Sequence, residues 1–155
     1  MKYSGKNSLA SFMKYFLLLL EGAAVIVLLG LPKFLGFYLN WIQSVFYSQA
    51  LYYGLIAILY ITGILSVLIL DTLRKLFTTM EDANPFIRKN VMALRRMGIY
   101  AFIIGAAYVS KIFFLNSFMT MIAVFIFFIA GIFCIVLADL FNQAIKYKEE
   151  NDLTI

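Results

Sequence analysis

Residues 50–70 and 118–138 each run for 21 positions without one charged side chain. A bilayer core of about 30 Å is crossed by about 20 apolar helical residues, so each run is long enough to span. A soluble domain of this size leaves a large share of its surface in water and could not cover such stretches. Two further segments complete the pattern, residues 15–31 and 98–115. The first contains Glu21 and is expected to end against Pro32; the second carries Lys111 near its far end. The expected fold is an all-α, integral membrane four-helix bundle in a single membrane domain, 1–155. The hydrophobic fraction of 64% agrees, set against the about 45–50% usual in soluble domains.

The first span is read as a retained helix rather than a cleaved leader. Lys2, Lys6 and Lys14 resemble a basic leader segment, but Glu21 interrupts the apolar stretch and no small-x-small cleavage site follows.

Lysine and arginine beside short loops set orientation. Eleven basic residues fall in the N-terminal segment, the 71–97 loop and the 139–155 tail, against Lys33 and Lys111 on the other side. Both termini and the loop are therefore expected in the cytoplasm of a bacterial cell, with the chain in its cytoplasmic membrane. Lys33 and Lys111 are expected to snorkel toward the outer interface. That outer side is rich in rings, among them Trp41, Tyr47 and Tyr52. Amphipathic rings favour the headgroup region, so this segment reads as an interfacial belt or a short helix on the outer leaflet. A pocket for a lipid tail or hydrophobic peptide is the sharper alternative.

In the middle loop, Asn84 and Pro85 suit the cap and first position of a helix. Phe86, Ile87, Val91, Leu94 and Met97 then recur at helical spacing, with Arg88, Lys89, Arg95 and Arg96 between them. A short cytoplasmic amphipathic helix over 84–98 is expected along the inner leaflet, leading into span three. Within span three, Ala101 with Gly105 and Ala106 with Ser110 are small pairs four apart, suited to close helix packing.

The run Leu73-Arg74-Lys75, then Asn84-Pro85-Phe86, Asn90 and Leu94-Arg95-Arg96-Met97-Gly98, with the tail Asn151-Asp152-Leu153-Thr154, resembles the YoaS-like family of small bacterial membrane proteins of unknown function. The resemblance covers most of the chain. It suggests a cytoplasmic protein partner, since members are often found beside small helix-turn-helix regulators, but it supplies no established biochemical activity.

The chain has no histidine and one cysteine, Cys134, which excludes an internal disulfide, a Cys/His zinc site and Ser–His or Cys–His catalysis. Cys134 reads as a small apolar residue. No catalytic residue, metal site or cofactor is expected. The net charge of +5 sits beside the spans and meets headgroups, so direct nucleic-acid binding is not expected.

Glu21, Asp71 and Asp139 all fall toward the inner side, at the level of Arg74, Arg95 and Arg96. Ionisable groups in spans normally pair, so these acids are expected to fix helix register. A proton- or ligand-responsive site around Glu21 is the functional alternative.

Two readings of function follow. In the first, a non-enzymatic regulator or sensor engages a cytoplasmic partner through Asn84, Pro85, Phe86, Arg88, Lys89, Asn90, Arg95, Arg96 and Asp152. In the second, a resistance, immunity or transport component binds an amphipathic peptide or lipid at its outer aromatic face. The lipid bilayer is a partner in both, and a homo-oligomer is compatible with either.

Overall fold

The computed structural model describes residues 9–41, 49–81, 86–113 and 117–152. They form four α-helices: α1 (Leu9–Trp41), α2 (Gln49–Glu81), α3 (Arg88–Ile112) and α4 (Phe118–Asp152). Each contains a stretch long and apolar enough to cross a membrane. At 1.5 Å per residue, α1, α2 and α4 are about 50 Å long and α3 is about 37 Å, so all exceed the hydrocarbon core.

Pro32 does not end the first helix. It lies inside α1, which continues to Trp41. Proline removes one backbone hydrogen bond, but stopping the helix in an apolar environment would leave several carbonyls and N–H groups without partners. Phe34, Phe37 and Tyr38 therefore extend from the last turns of α1 and do not belong to a separate surface helix.

The amphipathic segment differs in a similar way. α3 begins at Arg88, after Phe86 and an extended Ile87 at φ −127° and ψ 147°. Its basic first turns run without a break into the apolar span, so they are the start of α3 and not an element of their own. Asn84 and Pro85, the expected start, lie outside the described residues.

The reason for the continuity is a single buried stripe. Asn90, Val91, Leu94, Met97, Gly98, Ala101, Ile104 and Gly105 are buried at alternating short intervals from the basic first turn of α3 into its apolar span. Spacings of three and four keep one face toward a partner helix. That partner is mainly α4, and the two backbones come together at a glycine pair. A Cβ on Gly98 would stand 3.1 Å from the Gly131 carbonyl oxygen, and one on Gly131 would stand 3.2 Å from that of Gly98. Of the two small pairs within span three, Ala101 and Gly105 face the protein. Ala106 and Ser110 are exposed, with the Ser110 hydroxyl donating to the Ala106 carbonyl at 3.2 Å, and make no such contact.

The helices pack in chain order: α1 on α2, α2 on α3, α3 on α4. Among the described residues α1 does not pack on α4, so the bundle is open along that side. α1 is held by a narrow stripe that includes Leu17 and Leu35, with Leu28 seated against Gly63 of α2. The end of the molecule that carries all four arginines is the better packed. There Leu76 of α2, Val91 and Leu94 of α3, and Ala138 and Ile145 of α4 form one core, ringed by Leu73, Leu137 and Phe141.

Candidate functional site

The basic end is a three-helix head. Beyond the apolar part of α4, the helix continues to Asp152 and still buries Ile145. Phe86 closes the head from the loop side, its ring edge-on to Phe141 with centroids 5.2 Å apart. Asn90 is 3% exposed, and its Nδ2 donates to Thr79 Oγ1 at 2.7 Å. Thr79 Oγ1 in turn donates to the Leu76 carbonyl at 2.7 Å. A buried amide must find such partners, and this one ties α3 to α2.

The four basic residues of early α3 divide into two pairs. Arg88 Nη2 donates to both carboxylate oxygens of Glu149 at 3.1 Å, and Arg95 Nη2 donates to Asp139 Oδ1 at 2.8 Å. The pair thus faces α4. Lys89 and Arg96, one position on and likewise seven apart, are exposed and make no ion pair among the described residues. Met92, exposed as well, lies between them on the same face.

The acids expected to fix register are placed in ion pairs. Glu21 Oε2 lies 3.2 Å from Arg74 Nε across α1 and α2. Both atoms are shielded from solvent and neither has a hydrogen-bond partner among the described residues, so the contact is electrostatic without hydrogen-bond alignment. Arg74 Nη2 also donates to Asp71 Oδ1 at 2.7 Å, and Lys75 Nζ donates to Asp71 Oδ2. Glu149, missed in the sequence as a partner, follows only from the unbroken helical run of α4.

At the opposite, aromatic end, Tyr52 donates from its hydroxyl to the Pro32 carbonyl at 3.4 Å and stands edge-on to Tyr53. Trp41 is the last residue of α1, and its side chain lies outside the described part, as do Tyr47 and the Asp152 side chain. Where α1 and α4 stand apart, a cavity of about 810 Å³ opens. Leu31, Leu35, Leu55 and Leu59 line it from α1 and α2, Tyr108 and Lys111 from α3, and Thr120 and Ala123 from α4. A second cavity of about 270 Å³ shares Val27, Leu31, Leu59 and Tyr108 with the first and continues it toward Thr62 and Ser66. Those two hydroxyls donate to carbonyls of their own helix, at 3.2 and 2.8 Å, which leaves the floor apolar.

Among the described residues no three His, Cys, Asp or Glu side chains gather as metal ligands. A family model described as "Protein of unknown function (DUF2975)" matches residues 9–155. No curated protein and no solved structure matches the chain.

Proposed function

The chain belongs to the DUF2975 family, and on that premise we propose that it is a non-enzymatic multi-pass membrane regulator or sensor whose basic head engages a cytoplasmic protein. The observation that carries the reading is the division of labour on early α3. Arg88 and Arg95 are held by acids of α4, whereas Lys89, Met92 and Arg96 form an outward strip with two cations and an apolar centre. Such a strip suits an acidic, partly apolar partner surface, because rim charges steer and orient while the apolar centre supplies contact. The head lies on the side with eleven of the thirteen basic residues, which supports its placement in the bacterial cytoplasm.

Within the family, the Asn84-Pro85-Phe86 loop and the Asn151-Asp152-Leu153-Thr154 tail carry the YoaS-like resemblance. The partner that this resemblance implies is a small helix-turn-helix regulator. Binding to the protein, not to DNA, is the proposed contact.

In-cell photocrosslinking from position 92 tests the reading. A discrete protein adduct from position 92, lost when Lys89 and Arg96 become alanine, is the expected outcome. Equal adducts from position 92 and from position 122, on the exposed face of α4 at the other end, would overturn it.

A further inference from the structure

The groove between α1 and α4 has a feature that lipid-facing surfaces of helices usually lack. It is concave, and a cation stands at its edge. Lys111 lines it beside Tyr108, with Nζ 5.8 Å from the centre of that ring. Lys111 makes no ion pair among the described residues. The sequence supplies no acid for it nearby: no Asp or Glu falls between Glu21 and Asp71, nor between Asp82 and Asp139. The charged residues of these two segments near the groove's end of the molecule are Lys33 and Lys111. A lone ammonium at the edge of an apolar space is costly unless water or an anion reaches it. An anionic headgroup at the interface supplies both solvation and charge balance.

The dimensions point to a lipid chain. The α1 lining runs from Ile26 to Tyr38, twelve helical steps, or about 18 Å along the axis. Half of a bilayer core is about 15 Å, so the groove follows a single leaflet from interface to midplane. A volume of about 810 Å³ falls within the about 300–1,000 Å³ of pockets that hold small ligands. The open side between α1 and α4 gives access from the leaflet without unpacking any helix pair.

We propose that this groove is a lipid site, holding an acyl chain of an anionic phospholipid with its net-negative headgroup at the Lys111 ammonium. The chain fills space left where, among the described residues, α1 and α4 do not pack, and a phosphate not neutralised by a headgroup cation supplies the counter-charge the sequence withholds. The site is independent of the head strip. Its occupant comes from the bilayer itself, so no separate delivery step is required.

The test is native mass spectrometry of the full chain purified in mild detergent, titrated with phosphatidylglycerol or phosphatidylcholine of identical acyl chains. The wild type should retain one phosphatidylglycerol and prefer it about fivefold, the factor expected for one basic residue at an anionic surface. Lys111→Ala should erase the preference and Lys111→Arg should keep it. Gly30→Leu and Ala123→Leu, which place bulk in the groove, should lower retention of both lipids. A Cβ at Gly30 meets nothing within 4 Å, so the leucine enters open space. Gly22→Leu, equally unobstructed and outside the groove lining, is the matched control and should bind as wild type. Lys89→Ala with Arg96→Ala should also leave lipid retention unchanged, which separates this site from the head. Equal binding of the two lipids by the wild type would overturn the proposal, as would a Lys111→Ala protein that keeps the preference. A peptide co-purifying in place of lipid, or undiminished binding by both leucine variants, would do the same.

Discussion

Glu21 and Arg74 face each other across α1 and α2 with 3.2 Å between Oε2 and Nε, and the same guanidinium holds Asp71. Among the described residues α1 packs on α2 alone, so this contact ties the loosest helix to the rest of the bundle at the basic end. Glu21→Ala should lower stability in detergent by about 1 kcal/mol, because the Arg74 guanidinium loses its carboxylate partner on α1 while keeping Asp71. Glu21→Gln should recover part of the loss. The double variant with Arg74→Ala should fall short of the sum of the single losses by about 0.5–3 kcal/mol, the range for residues in contact. Additive losses would mean that the two side chains do not interact.

The Asn90–Thr79 link predicts a loss where polarity is removed from one partner only. Thr79→Val leaves the buried Asn90 Nδ2 without that acceptor and should cost about 1–3 kcal/mol, whereas Thr79→Ser keeps it and should cost less. Chemical denaturation in detergent separates the two. A Thr79→Val protein as stable as the wild type would remove this bond from the account.

At the α3–α4 crossing, Gly98→Leu and Gly131→Leu should each destabilise strongly. The added Cβ meets a backbone oxygen of the facing helix at 3.1 or 3.2 Å, and backbone cannot turn aside as a side chain can. Gly22→Leu should be near neutral. Equal melting temperatures for all three would contradict the close approach.

Much of the scaffold was legible because its cause is local. A charge-free run of 21 residues has few alternatives to a spanning helix, so the spans around 60 and 128 followed from counting. The level of Glu21, Asp71 and Asp139 relative to Arg74 and Arg95 also followed, since axial position is proportional to sequence position in a helix. What failed depended on partners far away in the chain. Pro32 is a local breaking signal, overridden because an apolar surround penalises open backbone. The pairing of Arg88 with Glu149 spans 61 residues and needs both α3 and α4 to run on past their apolar parts. Small residues four apart in α3 were visible, but the closest approach joins Gly98 to Gly131 in a different helix. The groove was the least legible of all. It arises from a contact that, among the described residues, α1 and α4 do not make, and absence of packing leaves no pattern in either helix.

The two basic pairs of α3 should separate in one experiment. Arg88→Ala with Arg95→Ala should reduce stability by about 1 kcal/mol or less, since both ion pairs are exposed. Lys89→Ala with Arg96→Ala should leave stability unchanged and reduce recovery of the proposed cytoplasmic partner from membranes, more so as salt is raised. Loss of partner in the first double variant and not in the second would assign the contact to the wrong face of α3.

Four crossings with the basic head in the cytoplasm underlie both proposed sites, and reporter fusions measure them directly. Fusions after Lys6, Glu81 and Ile155 should report cytoplasm, while fusions at Gln43 and Asn116 should report the outside. The expectation comes from the imbalance of eleven basic residues against two. A cytoplasmic signal at Gln43 would contradict it, because α1 would then fail to cross and the Lys111 groove could not face the outer leaflet.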